Sequence, residues 1–225
     1  MDIDISALLQ GRERACYIFG AGEFYGLGPE PSDSDLVIAA DGGLRQLKKL
    51  GSRPNIILGD FDSGNEAEAR SCASELGAEL VKLNVVKDVS DSAAAIDIGL
   101  ERGFECFYLY GCTGGRLDHT LANIQDMAML SKKGISSLMF DKGSALTAVT
   151  DGRVIFPRDG LGRFISVFSH SDSSRGIWET GLKYELRDAE LKNSFPLGLS
   201  NEFIGREASV SVNAGTLIVY FETSS

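Results

Sequence analysis

The 225-residue chain is 43% hydrophobic and 24% charged, the balance of a globular protein with one large domain or two modest ones. Its 22 Lys and Arg against 32 Asp and Glu leave a net charge of −10, which argues against a broad nucleic-acid surface but not against a nucleotide held through a metal. No apolar run nears the roughly 20 residues that span a bilayer. The acidic start Met1-Asp2-Ile3-Asp4 lacks the basic and apolar parts of a signal peptide, so no membrane contact and a cytoplasmic location are expected.

Taken in order, short apolar runs alternate with helix-like patterns up to about residue 145. Cys16–Phe19 runs into Gly20-Ala21-Gly22-Glu23, and Leu36–Ala40 runs into Asp41-Gly42-Gly43. A short helix over Leu44–Leu50 closes at Gly51. Ile56-Ile57-Leu58-Gly59 ends in two acids, Asp60 and Asp62. Ser63 to Glu66 then has capping-box spacing, with Ala69, Cys72, Ala73 and Leu76 on one helical face and a stop at Gly77. The apolar run Leu80–Val86 leads to Lys87-Asp88-Val89-Ser90-Asp91. A second helix begins at Ser90 or Asp91 and ends before Gly103, burying Ala93, Ile96 and Leu100. Phe107–Tyr110 opens into a glycine-rich loop from Gly111 to His119. A third helix follows with Asp118 as N-cap and Leu121, Ile124, Met127 and Ala128 inward, ending near Gly134.

Near-continuous apolar strands alternating with helices predict an open, mostly parallel sheet covered by helices, an α/β domain over residues 1–145. From 146 the pattern changes to short alternating segments: Leu146–Thr150, Arg153–Phe156, Phe164–Phe168, Ser209–Val212 and Leu217–Phe221. The pairs Asp151-Gly152 and Ala214-Gly215 suit turns between them. This predicts an all-β sandwich over 146–225, whose small core calls for packing on the first domain or on a second subunit. Of the four cysteines none has zinc-type spacing. Cys16, Cys72 and Cys106 read as reduced core thiols, while Cys112 lies in a glycine-rich loop open to exposure.

In a parallel sheet of this kind, ligands gather beyond the carboxyl ends of the strands, where these acids and glycines fall. Asp60 and Asp62 are two apart in an extended segment and project to one side. Carboxylates so placed suit a hard divalent cation such as Mg2+, and Asp41, Asp88 and Asp91 sit at neighbouring strand or helix ends. Unneutralised, such a group would repel itself, so a cation resolves the arrangement. The glycines from Gly111 allow close backbone approach, and Arg116 brings a fork of donors matched to phosphate oxygens. Lys87 is open to either a phosphate or solvent. Neither a P-loop nor a dinucleotide fingerprint is present, so a nucleotide would be held chiefly through metal and aspartates.

Six segments in order carry a family resemblance: ADGGLRQL at 40–47, LGDFDS at 58–63, KDVSD at 87–91, GGRLDHTLANI at 114–124, TGLKYEL at 180–186 and LSNEF at 199–203. Together they resemble the thiamine pyrophosphokinases, and they span both expected domains. The resemblance implies transfer of a pyrophosphoryl group from ATP to the hydroxyethyl oxygen of thiamine, giving thiamine diphosphate and AMP. It further implies a homodimer with sites between subunits. It assigns Mg2+–ATP handling to Asp41, Asp60, Asp62, Asp88 and Asp91, with Asp60, Asp62 and Asp91 as metal ligands. Arg116 meets ATP phosphates, Asp118 and His119 lie near the nucleotide, and Ser200 and Asn201 meet the thiamine pyrimidine. Asp60 or Asp88 takes the hydroxyl proton. Trp178, the single tryptophan, is open to stacking on the cationic thiazolium or to an ordinary core or interface place. Transfer to another small alcohol, or non-catalytic binding of thiamine diphosphate or a nucleotide, are the alternative readings.

Overall fold

In a computed structural model, residues 1–61, 66–83 and 90–223 are described. In chain order the elements are β1 (Asp2–Asp4), α1 (Ile5–Gln10), β2 (Cys16–Phe19), β3 (Leu36–Ala40), α2 (Gly43–Leu50), β4 (Ile56–Gly59), α3 (Glu66–Leu76), β5 (Glu79–Lys82), α4 (Asp91–Glu101), β6 (Cys106–Tyr110) and α5 (Leu117–Lys132). Then follow β7 (Ser136–Asp141), β8 (Ser144–Thr150), β9 (Arg153–Phe156), β10 (Leu161–Ser169), β11 (Ser173–Thr180), β12 (Leu186–Lys192), β13 (Gly198–Glu202), β14 (Ala208–Ser211) and β15 (Thr216–Thr223). Two compact units divide them: Arg12–Asn123 forms one, and Met1–Gly11 with Ile124–Ser225 forms the other.

The unit Arg12–Asn123 is the expected α/β arrangement. Its strands run parallel in the order β6-β2-β3-β4-β5, and α2, α3 and α4 pack on them. The inner strands are buried along their whole length, which is why they read as unbroken apolar runs. Three tyrosines share that core, each with its hydroxyl placed on backbone. Tyr110 Oη donates to the Pro29 carbonyl at 3.0 Å, Tyr17 Oη donates to the Glu30 carbonyl at 3.3 Å, and Tyr108 Oη accepts from the Arg12 N–H at 3.1 Å. All four cysteines are free and buried, and burial pushes the Cys106 thiol up to about 11. Cys112, whose glycine-rich loop left exposure open, is 4% exposed, because the loop around it folds against the end of β2.

Helix ends largely follow the sequence signals. Gly51 closes α2 in the left-handed region at φ 66°, and the Ser90 hydroxyl caps α4 by accepting from the Ala93 N–H at 3.2 Å. The capping box expected from Ser63 lies outside the described residues. Two buried stripes are rotated from expectation. In α4 the buried residues are Ala95, Ile96 and Gly99, since a Cβ at Gly99 would lie 2.6 Å from the Phe107 ring and the helix settles there. In α5, Asn123, Met127, Ala128 and Leu130 are buried while Leu121 is 56% exposed. Nor is Asp118 the N-cap: α5 starts at Leu117, and the Asp118 carboxylate in its first turn accepts from Arg116 instead.

The other unit is a two-sheet sandwich. One sheet runs β1-β9-β14-β11-β12, and the other holds β13-β10-β15-β8-β7. The core closes where Phe156 of β9 meets Phe221 of β15 edge to face, centroids 5.3 Å apart. The five anticipated strands are present as β8, β9, β10, β14 and β15. β11, β12 and β13 had no clear alternation to announce them, because register shifts interrupt β11 and β12 is largely charged. The acidic start, read from sequence only as lacking the marks of a signal peptide, forms β1. It pairs parallel with β9, and Asp2 meets Arg153 at 2.7 Å.

Helix α2 approaches β2 closely at Gly43, where a Cβ would stand 1.7 Å from the Phe19 carbonyl oxygen. Gly43→Ala is therefore expected to lower stability by about 1–3 kcal/mol, measured as a lower urea midpoint. An unchanged midpoint would show that α2 can retreat from β2 at no cost.

Candidate active site

At the carboxyl edge of the parallel sheet, two loops are stitched together through their backbones. Gly20 N–H donates to the Tyr110 carbonyl at 2.8 Å, Gly22 N–H to the Gly111 carbonyl at 2.7 Å, and Glu23 N–H to the Thr113 carbonyl at 3.0 Å. Side chains cannot be tolerated at this seam: a Cβ on Gly22 would sit 2.3 Å from the Thr113 carbonyl oxygen. Asn123 locks the far side, its Nδ2 donating to the Cys112 carbonyl at 2.7 Å. The result is a cleft of ≈ 360 Å³ lined by Ala21, Gly22, Asp41, Ser92, Gly111, Cys112, Gly114, Gly115, Arg116, His119 and Asn123.

Of the acids singled out from the sequence, Asp41 lines this cleft. It takes φ 49°, a conformation a short polar side chain tolerates, and its N–H donates to the Leu58 carbonyl at 2.8 Å. That bond ties the end of β3 to β4. Asp60, two residues beyond Leu58, leaves the same edge of the sheet on the neighbouring strand. Phe61 next to it also has positive φ, 53°, a costly conformation for a bulky residue. Asp91 opens α4, and the next residue, Ser92, lines the cleft. Asp62, Asp88 and Lys87 lie outside the described residues. Among the described residues, no group of three His, Cys, Asp or Glu side chains is placed to share one ion.

Arg116 and His119 line the cleft with Asp41. The Arg116 guanidinium forms a fork with Asp118, Nε to Oδ1 at 3.1 Å and Nη2 to Oδ2 at 2.5 Å, and holds the Asp118 carboxyl below the usual carboxylate range. Both side chains are well over half exposed, so water screens the pair and a phosphate can compete for the fork. His119 gives its backbone N–H to Asp118 Oδ1 at 3.0 Å.

The sandwich unit has its own cavities. One of ≈ 190 Å³ is lined by Glu179, Tyr184, Leu186, Leu197, Gly198, Leu199, Ser200 and Asn201, so the two residues expected at the pyrimidine are neighbours here. Ser200 adopts φ 61°, with its N–H held by the Ser166 hydroxyl at 3.0 Å and its side chain exposed. Asn201 is 5% exposed and uses all of its amide. Its Nδ2 donates to Glu179 Oε2 at 2.9 Å and to the Tyr184 carbonyl at 2.7 Å, while Oδ1 accepts from the N–H groups of Tyr184 and Glu202 at 3.0 and 2.9 Å. Trp178 is not among the lining residues; on β11 it points away from the side that buries Glu179.

Two lining residues carried no signal of their own in the sequence. Tyr184, 61% exposed, lies inside the 180–186 segment but only the fold brings it to Ser200 and Asn201. Glu179 sits between Trp178 and Thr180 like any surface acid, yet strand alternation turns it inward to 1% exposure. Burial pushes its carboxyl up to about 7.

The family model described as thiamin pyrophosphokinase, catalytic domain, matches residues 30–139, and that of the thiamin pyrophosphokinase vitamin B1 binding domain matches residues 153–217. A curated relative, thiamine pyrophosphokinase of Bacillus subtilis (strain 168), is 32% identical over 188 residues, covering 84% of this chain and 87% of the relative. The crystal structure of thiamine pyrophosphokinase from Bacillus subtilis superposes with a TM-score of 0.83 at 29% identity, over 94% of this chain and 100% of that one. The thiamin pyrophosphokinase of Candida albicans, at 15% identity, shares the fold with a TM-score of 0.80 over 99% of this chain and 92% of its own. With both family domains matched in order and the match running through most of its length, the chain belongs to the thiamine pyrophosphokinase family.

Proposed function

We propose that this chain transfers the pyrophosphoryl group of ATP to the hydroxyethyl oxygen of thiamine, releasing thiamine diphosphate and AMP. What carries the reading is the pairing of family domain with site. The catalytic-domain match contains Asp41, Arg116 and His119 of the cleft, and the vitamin B1 binding match contains the cavity with Ser200 and Asn201. Under this reading residues 1–145 handle ATP, and residues 146–225 contribute the thiamine site and a dimer interface.

Carboxylate oxygens in and beside the cleft are of the chemical kind a hard divalent cation takes. Asp41 and Asp60 leave adjacent strands at one edge, Asp91 opens α4 beside the cleft, and all offer carboxylate oxygens. Mg2+ entering with ATP would be held by Asp60, Asp62 and Asp91, and would supply neutralisation of phosphate charge. The chain's own groups do the rest. The seam of backbone at Gly22 and Gly111 lets phosphates lie close to the main chain, and Arg116 exchanges Asp118 for phosphate oxygens, with Asp118 and His119 beside the nucleotide. The thiamine hydroxyl attacks the β-phosphorus, the bond from that phosphorus to the α-phosphate oxygen breaks, and AMP leaves. Asp60 or Asp88 accepts the hydroxyl proton. Such transfers depend on positioning and charge neutralisation more than on covalent chemistry.

We propose a homodimer from the sandwich unit's exposed apolar side chains: Tyr184, Phe195, Leu197 and Leu199 are each more than half exposed around the 190 Å³ cavity or next to it. A cytoplasmic setting suits four buried thiols without a disulfide.

Incubation with ATP, Mg2+ and thiamine is expected to give AMP and thiamine diphosphate in equal amounts by chromatography; ADP as the nucleotide product would reject the assignment. Asp60→Asn and Asp62→Asn are each expected to cut kcat roughly 100-fold or more with the far-ultraviolet circular dichroism retained, and near-normal turnover in either would remove that residue from the phosphate site. Sedimentation equilibrium is expected to give twice the chain mass at micromolar concentration. A monomer there would contradict a shared interface.

A further inference from the structure

Among the described residues, Glu179 Oε1 is one of the few side-chain atoms that are both buried and without a hydrogen-bond partner. Glu179 is among the residues lining the cavity that holds Ser200 and Asn201, and the residue is only 1% exposed. Leaving such an oxygen unpaired is costly, and a buried group of this kind calls for a ligand or a functional reason. The neighbouring amide cannot supply a partner, because Asn201 has spent both N–H groups and both acceptor positions on Glu179, Tyr184 and Glu202. Asn201 is therefore a positioning residue: it fixes the carboxyl through Oε2 and leaves Oε1 as the acceptor on offer. The cavity, ≈ 190 Å³ with Leu186, Leu197 and Leu199 among its walls, has room for one heteroaromatic ring and too little for a nucleotide.

We infer that Glu179 is a specificity-determining residue of the acceptor site, its Oε1 accepting an N–H from the exocyclic amino group of the thiamine pyrimidine. The inference rests on the thiamine reading above and adds to it a residue outside the motif segments that carry the family resemblance. A site built to accept a hydrogen bond discriminates sharply against a ligand lacking the donor, since the oxygen then stays buried and unpaired. Burial pushes the carboxyl up to about 7, and a bound N–H donor favours the ionised form, in which Oε1 accepts.

The test crosses side chain with ligand group. Glu179→Gln keeps the oxygen that Asn201 uses and turns the free position into an N–H donor. Wild type and variant are assayed with thiamine and with its analogue bearing hydrogen in place of the amino group; KM for ATP and the thermal midpoint report the integrity of the fold. Wild type is expected to prefer thiamine in kcat/KM by about 100-fold, and the variant is expected to lose at least about tenfold of that preference. Equal losses for both acceptors, leaving the ratio intact, would reduce Glu179 to a structural role and overturn the inference. The same ratio is measured as Kd by calorimetry. If wild type binds thiamine but forms no diphosphate, the transfer reading fails while the binding ratio still decides Glu179; if wild type does not bind thiamine, both fall.

Discussion

The contact of main chain with main chain between residues 20–23 and 110–113 governs the nucleotide side of this protein. Three hydrogen bonds of 2.7 to 3.0 Å join these loops, and they form only because glycine occupies positions 20, 22 and 111. The seam continues the pairing of β2 with β6 past the ends of the strands. It holds the Gly111–His119 loop over the carboxyl edge of the sheet, where Asp41 and Asp60 emerge. Without it, Arg116 would have no defined position relative to Asp41, and the cleft would lose one wall.

A second constraint of the same type operates in the sandwich unit, with a side chain in place of backbone. Asn201 bridges β13 to the Tyr184 turn and to Glu179 on β11, so one saturated amide sets the geometry of three segments. The two sites differ in chemistry. The cleft carries an exposed ion pair that a phosphate can displace. The sandwich cavity is lined by a buried carboxyl that burial pushes up to about 7. Polar, exchangeable contacts suit a charged nucleotide, and a preorganised, buried acceptor suits a ring to be selected by its hydrogen-bond pattern.

Much of the α/β unit was legible because its inner strands are buried on both faces. Leu36–Ala40 and Ile56–Gly59 can be read from composition alone, and Ser90 and Gly51 mark helix ends by local hydrogen bonding. Helix faces were less legible. Whether α4 turns Leu100 or Gly99 inward depends on the Phe107 ring across from it, which periodicity cannot see. The exposure of Leu121 and the burial of Cys112 likewise follow from neighbours distant in sequence.

For the site, the sequence by itself determined the identity and order of the acids, the glycines and the arginine, since their chemistry is local and their spacing places them at strand ends. The resemblance of six ordered segments named Ser200 and Asn201 as well. Only the tertiary structure decided what those groups do for one another: that Arg116 is already bound to Asp118, that Asn201 is consumed in positioning, and that Glu179 is left with a buried oxygen to satisfy. Hydrogen-bond saturation and burial are properties of surroundings assembled from distant parts of the chain, and no residue carries them alone.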